Sequence, residues 1–299
     1  MNPIVWTPLI GGAGLCGAAA AALWRRHPNR FELLPTPREA IGLPVFMFHD
    51  SPPKTLETSF AYLTANGYRT IGVDECLEIL SGRRPLMTGE VMLTFDDGLR
   101  TLWTYADPLL EKYGLRAVAF VTPSFLETAP LRPTLREVWR GEARPGDAAP
   151  RFWKDHCSRD EIRALDRGGR IRIASHSGGH EISFRGAPGP EGASVRRESL
   201  RRGRAELEDL LGRPVLDFAA PFGGYSSLLG QEVREAGFRS NFGVLIRPCG
   251  FYRRMNRCGT DPYAITRTPF RAIRSLPGTG RLGPWERLRY ALSHRTEQE

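Results

Sequence analysis

Two carboxylates stand side by side in Thr94-Phe95-Asp96-Asp97-Gly98, and two histidines lie four apart in His176-Ser177-Gly178-Gly179-His180. A third histidine, His49, is followed by Asp50 at the close of the apolar run Val45–Phe48. One carboxylate and two neutral imidazoles make a three-ligand site with an open position, the form of a catalytic zinc centre. Such an ion lowers the pKa of bound water toward ~7 and polarises a carbonyl. Adjacent aspartates diverge, so one can ligate while its neighbour takes a proton from water. A protonated His49 can donate to a leaving group, a step worth ~10²–10⁴ in rate. Together these types support metal-assisted hydrolysis. Taken singly they are weaker signals: Asp-Asp-Gly is a common turn, and His-x-x-x-His is mostly incidental.

The elements that must position these groups alternate. Strands are expected over Val45–Phe48, Tyr68–Ile71, Val91–Phe95, Ala117–Val121, Ile171–Ser175, Val215–Ala220 and Arg239–Phe242. Between them the pattern predicts helices over Leu56–Ala65, Val73–Leu80, Leu102–Tyr113, Val195–Leu211 and Ser226–Ala236. A further helix opens at the capping box Ser158-Arg-Asp-Glu161 and runs to Arg167. Gly67, Gly114, Gly212 and Gly237 follow helices, where a left-handed residue turns the chain back. Seven strands separated by helices indicate an α/β fold, a distorted seven-stranded (β/α) barrel, with a doubly wound parallel sheet as the alternative. In a parallel barrel functional groups gather at the carboxyl ends of strands. His49, Asp96, Asp97, His176, His180 and Pro221-Phe222-Gly223 all follow strands, so one rim collects them. Thr128–Pro150 and Arg185–Gly192 break the rhythm and read as inserted loops.

Thr94-Phe95-Asp96-Asp97-Gly98 with His176-Ser177-Gly178-Gly179-His180 resembles the polysaccharide deacetylase family, the NodB homology domain of carbohydrate esterase family 4. The resemblance runs from about Pro44 to Thr268. Phe46-Met47-Phe48-His49-Asp50 and Phe218-Ala219-Ala220-Pro221-Phe222-Gly223 are closest to the biofilm poly-N-acetylglucosamine deacetylase branch. It implies Asp97, His176 and His180 as ligands of a divalent metal, usually zinc, and Asp96 as general base. It implies the Phe222 backbone N–H, after Pro221, as part of an oxyanion site. In the biofilm branch a histidine matching His49 is the general acid; His294 in Leu292-Ser293-His294 is the other candidate. Many members carry an arginine two residues before the proline to orient the base, and here that place is Ala219. The Asp/Trp motif of chitin and peptidoglycan deacetylases is not recognisable, which turns the expectation away from those polymers. Trp139, Trp153, Phe222, Tyr225, Phe251 and Tyr252 are aromatics near the expected rim that can stack on sugars.

The resulting expectation is a hydrolase of linear amides that removes acetyl from N-acetylhexosamine units of an exopolysaccharide or its precursor. An O-acetyl esterase, a lipid-linked sugar deformylase and a non-catalytic polysaccharide-binding protein on the same scaffold are the alternatives. The loss of the arginine at Ala219 is the sequence feature favouring the last.

The 299 residues, 41% hydrophobic and 25% charged, exclude disorder, collagen and coiled coil. A net charge of +9 suits an anionic partner, but no helix-turn-helix, zinc or aromatic-basic motif supports nucleic-acid binding. Five scattered cysteines make no disulfide framework, although Cys249 and Cys258 could close one loop. Ile4–Trp24 carries no charge and spans about 31 Å as a helix, close to the bilayer core. Residues 1–27 are therefore expected to be a membrane anchor, with 28–42 a linker, 43–270 the catalytic domain and 271–299 an Arg-rich surface tail. A cleaved signal peptide lacks its basic n-region, and a soluble buried helix is the remaining option. Arg25, Arg26 and Arg30 favour a cytoplasmic domain by the positive-inside rule. Polymer processing favours the outside, and the expectation follows the chemistry: an envelope protein with an extracytoplasmic domain.

Overall fold

The computed structural model describes residues 42–244 and 255–276. The apolar segment Ile4–Trp24, nearly all of the linker, Cys249, Phe251, Tyr252 and His294 lie outside them. Among the described residues no helix is long and apolar enough to cross a membrane.

The strands are β1 (Val45–Phe48), β2 (Arg69–Thr70), β3 (Glu90–Phe95), β4 (Ala117–Val121), β5 (Ile171–Ser175), β6 (Asp217–Ala219), β7 (Ser240–Gly243), β8 (Ile265–Thr266) and β9 (Thr268–Pro269). Every ladder is parallel, in the order β8-β7-β6-β5-β4-β3-β1-β9, with β2 off this path on β3. The expected α/β barrel thus has eight strands along its path rather than seven. Six of the seven expected strands lie on that path and the seventh, β2, sits beside it on β3; the two additions are β8 and β9, too short to carry a period-2 signature. They are one extended stretch: Ile265–Thr266 pairs with β7 and Thr268–Pro269 with β1, so the segment spans the gap between the two edges of the sheet.

The helices are α1 (Pro53–Ala65), α2 (Val73–Leu80), α3 (Asp107–Lys112), α4 (Leu135–Trp139), α5 (Pro145–Ala148), α6 (Arg159–Arg167), α7 (Ala193–Leu211) and α8 (Ser227–Glu235). The Ser158 box is formed: Glu161 N–H donates to Ser158 Oγ at 3.2 Å, and Ser158 N–H donates to Glu161 Oε2 at 2.9 Å. The expected single helix over Leu102–Tyr113 begins instead as a π turn over Leu102–Ala106. Pro108 has no N–H to give the carbonyl four residues back, so the widened turn accommodates it. The Thr128–Pro150 insertion holds the short helices α4 and α5. Arg132 fastens it to the body, donating to Glu127, Glu161 and the His156 carbonyl.

Alternation along the strands sorts the side chains. Val45, Met92, Val118, Phe120, Ala174, Ala219, Phe242 and Ile265 form one buried cluster with Ile71, Cys76 and Ile79. Phe46, Leu93, Ala119, Ile173 and Phe218, of the opposite parity, pack with Leu109, Ile162, Leu200 and Val233 of the helices and their flanks. Packing continues past the expected boundary at Arg271. Ile273 and Leu276 are fully buried, and the Tyr62 hydroxyl donates to the Leu276 carbonyl at 2.6 Å.

Candidate metal centre and active site

Period 2 carries the interior parity of Met92 to Asp96, of Val45 to His49 and of Ala174 to His176, so three strands deliver these side chains toward one axis. Because the ladders are parallel, all three arrive at the same rim. Ligand atoms of Asp97, His176 and His180 lie within 4.8 Å of one another. Asp97 Oδ1 is 3.5 Å from His176 Nε2 and 3.5 Å from His180 Nε2. Two ligands each ~2.0–2.1 Å from a tetrahedral ion stand about 3.4 Å apart. Asp97 Oδ1 is also buried without a hydrogen-bond partner. A buried carboxylate oxygen left orphaned between two imidazoles is what a cation-binding set requires, so these residues fit a divalent metal.

The supporting contacts point the same way. His176 Nδ1 lies 2.7 Å from the Ala219 carbonyl, which fixes Nδ1 as the protonated nitrogen and turns the Nε2 lone pair toward Asp97. Burial pushes the His176 imidazole below its ordinary pKa, against the pull of Asp96 and Asp97, which favours the neutral ligand form. Ser177 Oγ accepts from His180 N–H at 2.9 Å, and Ser199 Oγ accepts from Gly178 N–H at 2.9 Å. Asp97, Ser177, His180, Phe222 and Trp153 are the non-glycine residues with left-handed φ among the described residues, at 57° to 71°. Such backbone costs on the order of 1–3 kcal/mol per residue and collects where function constrains the chain.

Asp96 is buried and faces Arg267. The guanidinium Nη1 donates to Asp96 Oδ1 at 2.5 Å and lies 3.4 Å from Thr94 Oγ1, while its carbon sits 5.3 Å from the centre of the Phe120 ring. Burial alone would raise the Asp96 pKa, but Arg267, with His176 and His49, outweighs it and holds the carboxyl at about 2. Arg267 is the functional residue that the sequence did not disclose. Ala219 and Arg267 share the interior parity, so an arginine at either place enters the same space.

His49, one-third exposed, brings Nε2 to 3.8 Å from Asp96 Oδ2, on the solvent side of the pair. Its ring lies 5.9 Å from that of Trp153, which is 62% exposed and whose N–H is bonded to Asp50 Oδ2. Phe222 lies edge-on to His180 at 4.5 Å and under the Arg185 guanidinium at 4.7 Å. Pro221 is buried at the start of that turn. Tyr225 lines a hollow of about 520 Å³ with Gln231, Arg234, Asp261 and Tyr263. Trp139 is exposed, 5.7 Å from Lys112 Nζ. Cys258 has a free thiol. His156 belongs to no sequence motif. It is half-buried against Phe125 at 5.0 Å, its pKa pushed down by burial against the field of Asp97 and Glu127. All four histidines of the described residues thus surround one centre.

The model of the family described as polysaccharide deacetylase matches residues 83–240. The chain is 28% identical over 122 residues to the poly-beta-1,6-N-acetyl-D-glucosamine N-deacetylase of Escherichia coli (strain K12). That match covers 41% of this chain and 17% of the relative, so it spans about a sixth of the relative's length. The fold is similar to IcaB from Ammonifex degensii (TM-score 0.59, 23% identity, covering 77% of this chain and 91% of that one). It is likewise similar to the BpsB deacetylase domain from Bordetella bronchiseptica (TM-score 0.57, 19% identity, covering 79% and 98%).

Proposed function

This chain belongs to the polysaccharide deacetylase family, and on that premise we propose that it is a metal-dependent hydrolase removing acetyl from N-acetylhexosamine units of an exopolysaccharide or its precursor. The observation that carries this reading is the convergence of Asp97, His176 and His180 within 4.8 Å beside a buried, arginine-paired Asp96. The three converging residues would hold the metal, for which zinc suits the nitrogen-rich donor set. When bound, a divalent ion there supplies an acidified water and polarises the acyl carbonyl.

The chain's own residues supply the rest. Asp96, kept ionised by Arg267, takes the water proton at Oδ2, the oxygen facing His49. His49 Nε2–H gives a proton to the departing amine, since an amine anion is too basic to leave unaided. The Phe222 N–H donates to the oxygen that gains charge as the carbonyl is attacked. The exposed face of Trp153 beside His49 offers a stacking surface for a sugar ring. Pro221 holds the turn that presents Phe222, and Tyr225 extends the carbohydrate contacts beyond it. Asp96 with its arginine partner supports catalysis over a purely binding role.

The relative from Escherichia coli is described as acting on poly-beta-1,6-N-acetyl-D-glucosamine, and the same polymer class is the substrate proposed here. We place the catalytic domain outside the cytoplasm, held by an anchor in residues 1–27. Proteolysis of intact cells and of spheroplasts tests that placement. The activity is tested by acetate release from N-acetylglucosamine oligomers by zinc-loaded protein. Release that stops on chelation and in Asp96→Asn supports the reading, and none from any N-acetylated oligomer contradicts it.

A further inference from the structure

Trp153 is 62% exposed, its φ is 59°, and its ring lies 5.9 Å from that of His49. Lys154 N–H donates to the Arg151 carbonyl at 3.0 Å, closing a turn with Trp153 in its third place. A left-handed backbone at that place is normally supplied by glycine, because a side chain is strained in it. A bulky tryptophan facing solvent gains little from packing, so its neighbours must impose the conformation.

The far end of this segment is stitched to the residues that follow β3. The Asp155 carbonyl accepts from Arg100 N–H at 2.9 Å, and the Gly98 carbonyl accepts from Cys157 N–H at 2.8 Å. Its tip is held from the other side. By the alternation that sends His49 to the axis, Asp50 leans outward, and its Oδ2 accepts the Trp153 N–H. Burial pushes the Asp50 carboxyl up, and the Trp153 N–H is the largest of the contacts that oppose this. The dipeptide His49-Asp50 thus places the candidate acid and fixes the ring beside it. His49 and Trp153 face one cleft of about 750 Å³, within the ~300–1,000 Å³ range of ligand sites. Ser51, Thr55 and Thr58 line it too, and their neutral hydroxyls suit a neutral sugar.

From this arrangement we propose that Asp50 is a positioning residue: it latches Trp153 as a preformed platform for the neutral hexosamine unit adjoining the scissile one on the His49 side. A ring already fixed in its binding pose loses less freedom when a sugar stacks on it than a mobile ring does. The cleft therefore favours oligomers that extend onto Trp153 over substrates that end at the scissile unit. This inference rests on the deacetylase reading for the identity of the scissile unit, and the experiment keeps the two apart.

A tetramer of N-acetylglucosamine and nitrophenyl acetate, an ester too small to reach Trp153, are the probes for the zinc-loaded full chain. Trp153→Ala and Asp50→Ala each raise the tetramer KM about tenfold, the scale of one lost aromatic contact, and the loss falls on KM rather than kcat. The ester KM does not follow. The double variant is no worse than either single one, because the two residues make one interaction. Asp50→Asn, whose amide oxygen still accepts the N–H, restores the tetramer KM. Calorimetric binding of the tetramer to the same variants in an Asp96→Asn background reads the contact without turnover. A wild-type tetramer KM in Asp50→Ala, additive losses in the double variant, or equal losses on tetramer and ester overturn the inference. Binding that depends on Asp50 and Trp153, with no acetate release by the wild-type chain, sustains the platform and sinks the activity; acetate release with a KM indifferent to Asp50 does the reverse.

Discussion

Arg267 donates from Nη1 to Asp96 Oδ1 at 2.5 Å with both side chains closed to solvent. The arginine comes from the junction between β8 and β9, the stretch that bridges the two edges of the barrel, so closure of the fold and orientation of the candidate base are one event. Arg267 acts through Asp96 and is a positioning residue. Arg267→Met is expected to retain zinc and lower kcat about 10²-fold, with Lys restoring part of the loss. Removing the cation leaves burial to raise the Asp96 pKa, so the acid limb of the rate profile moves to higher pH. An unchanged kcat and acid limb would count against the role.

The same pair sets a stability window. The Asp96 carboxyl lies at about 2 when folded, against 3.8 for an ordinary aspartate. A depressed folded pKa contributes stability that is complete above the unfolded value and disappears as pH falls through the folded one. The metal-free wild type should therefore exceed Asp96→Asn in urea midpoint above pH ~4, and the difference should shrink as pH approaches ~2. A pH-independent difference would mean that Asp96 does not titrate in this window.

His49 is 3.8 Å from Asp96 and faces solvent, the side from which a leaving amine departs. His49→Ala should slow amide hydrolysis by about 10²-fold or more while costing an activated ester much less, since an ester oxygen leaves with little protonation. Equal losses on both substrates would remove its acid role.

Gly203 in α7 touches the ligand loop. A Cβ there would lie 2.5 Å from the Ser177 carbonyl carbon and 2.7 Å from Gly178 N. Glycine to alanine inside a helix ordinarily stabilises by ~1 kcal/mol. Gly203→Ala should do the opposite, lowering Tm and weakening zinc binding by displacing the turn between His176 and His180. A rise in Tm with unchanged affinity would show that the loop yields freely.

The sequence disclosed the residues that follow long strands. β1, β4 and β5 lie where their apolar runs placed them, and β3 begins one residue earlier, so His49, Asp96 and His176 could be assigned to one rim by parity alone. Ser158 and Glu161 formed the expected box because a capping box is local chemistry. β8 and β9 are not legible in the sequence because two-residue pairings have no period. Arg267 goes with them: among 42 basic residues, of which three are lysine, one more arginine carries no signal until topology puts it against Asp96. His156 is half-buried through tertiary contact with Phe125 from another segment, which no local pattern encodes.

The most direct measurement is a zinc-edge anomalous difference map from crystals of the metal-loaded protein. One peak per chain, ~2.0–2.2 Å from a carboxylate oxygen of Asp97 and from Nε2 of both His176 and His180, is the predicted result. A chain without a peak there, or with its zinc elsewhere, contradicts the account.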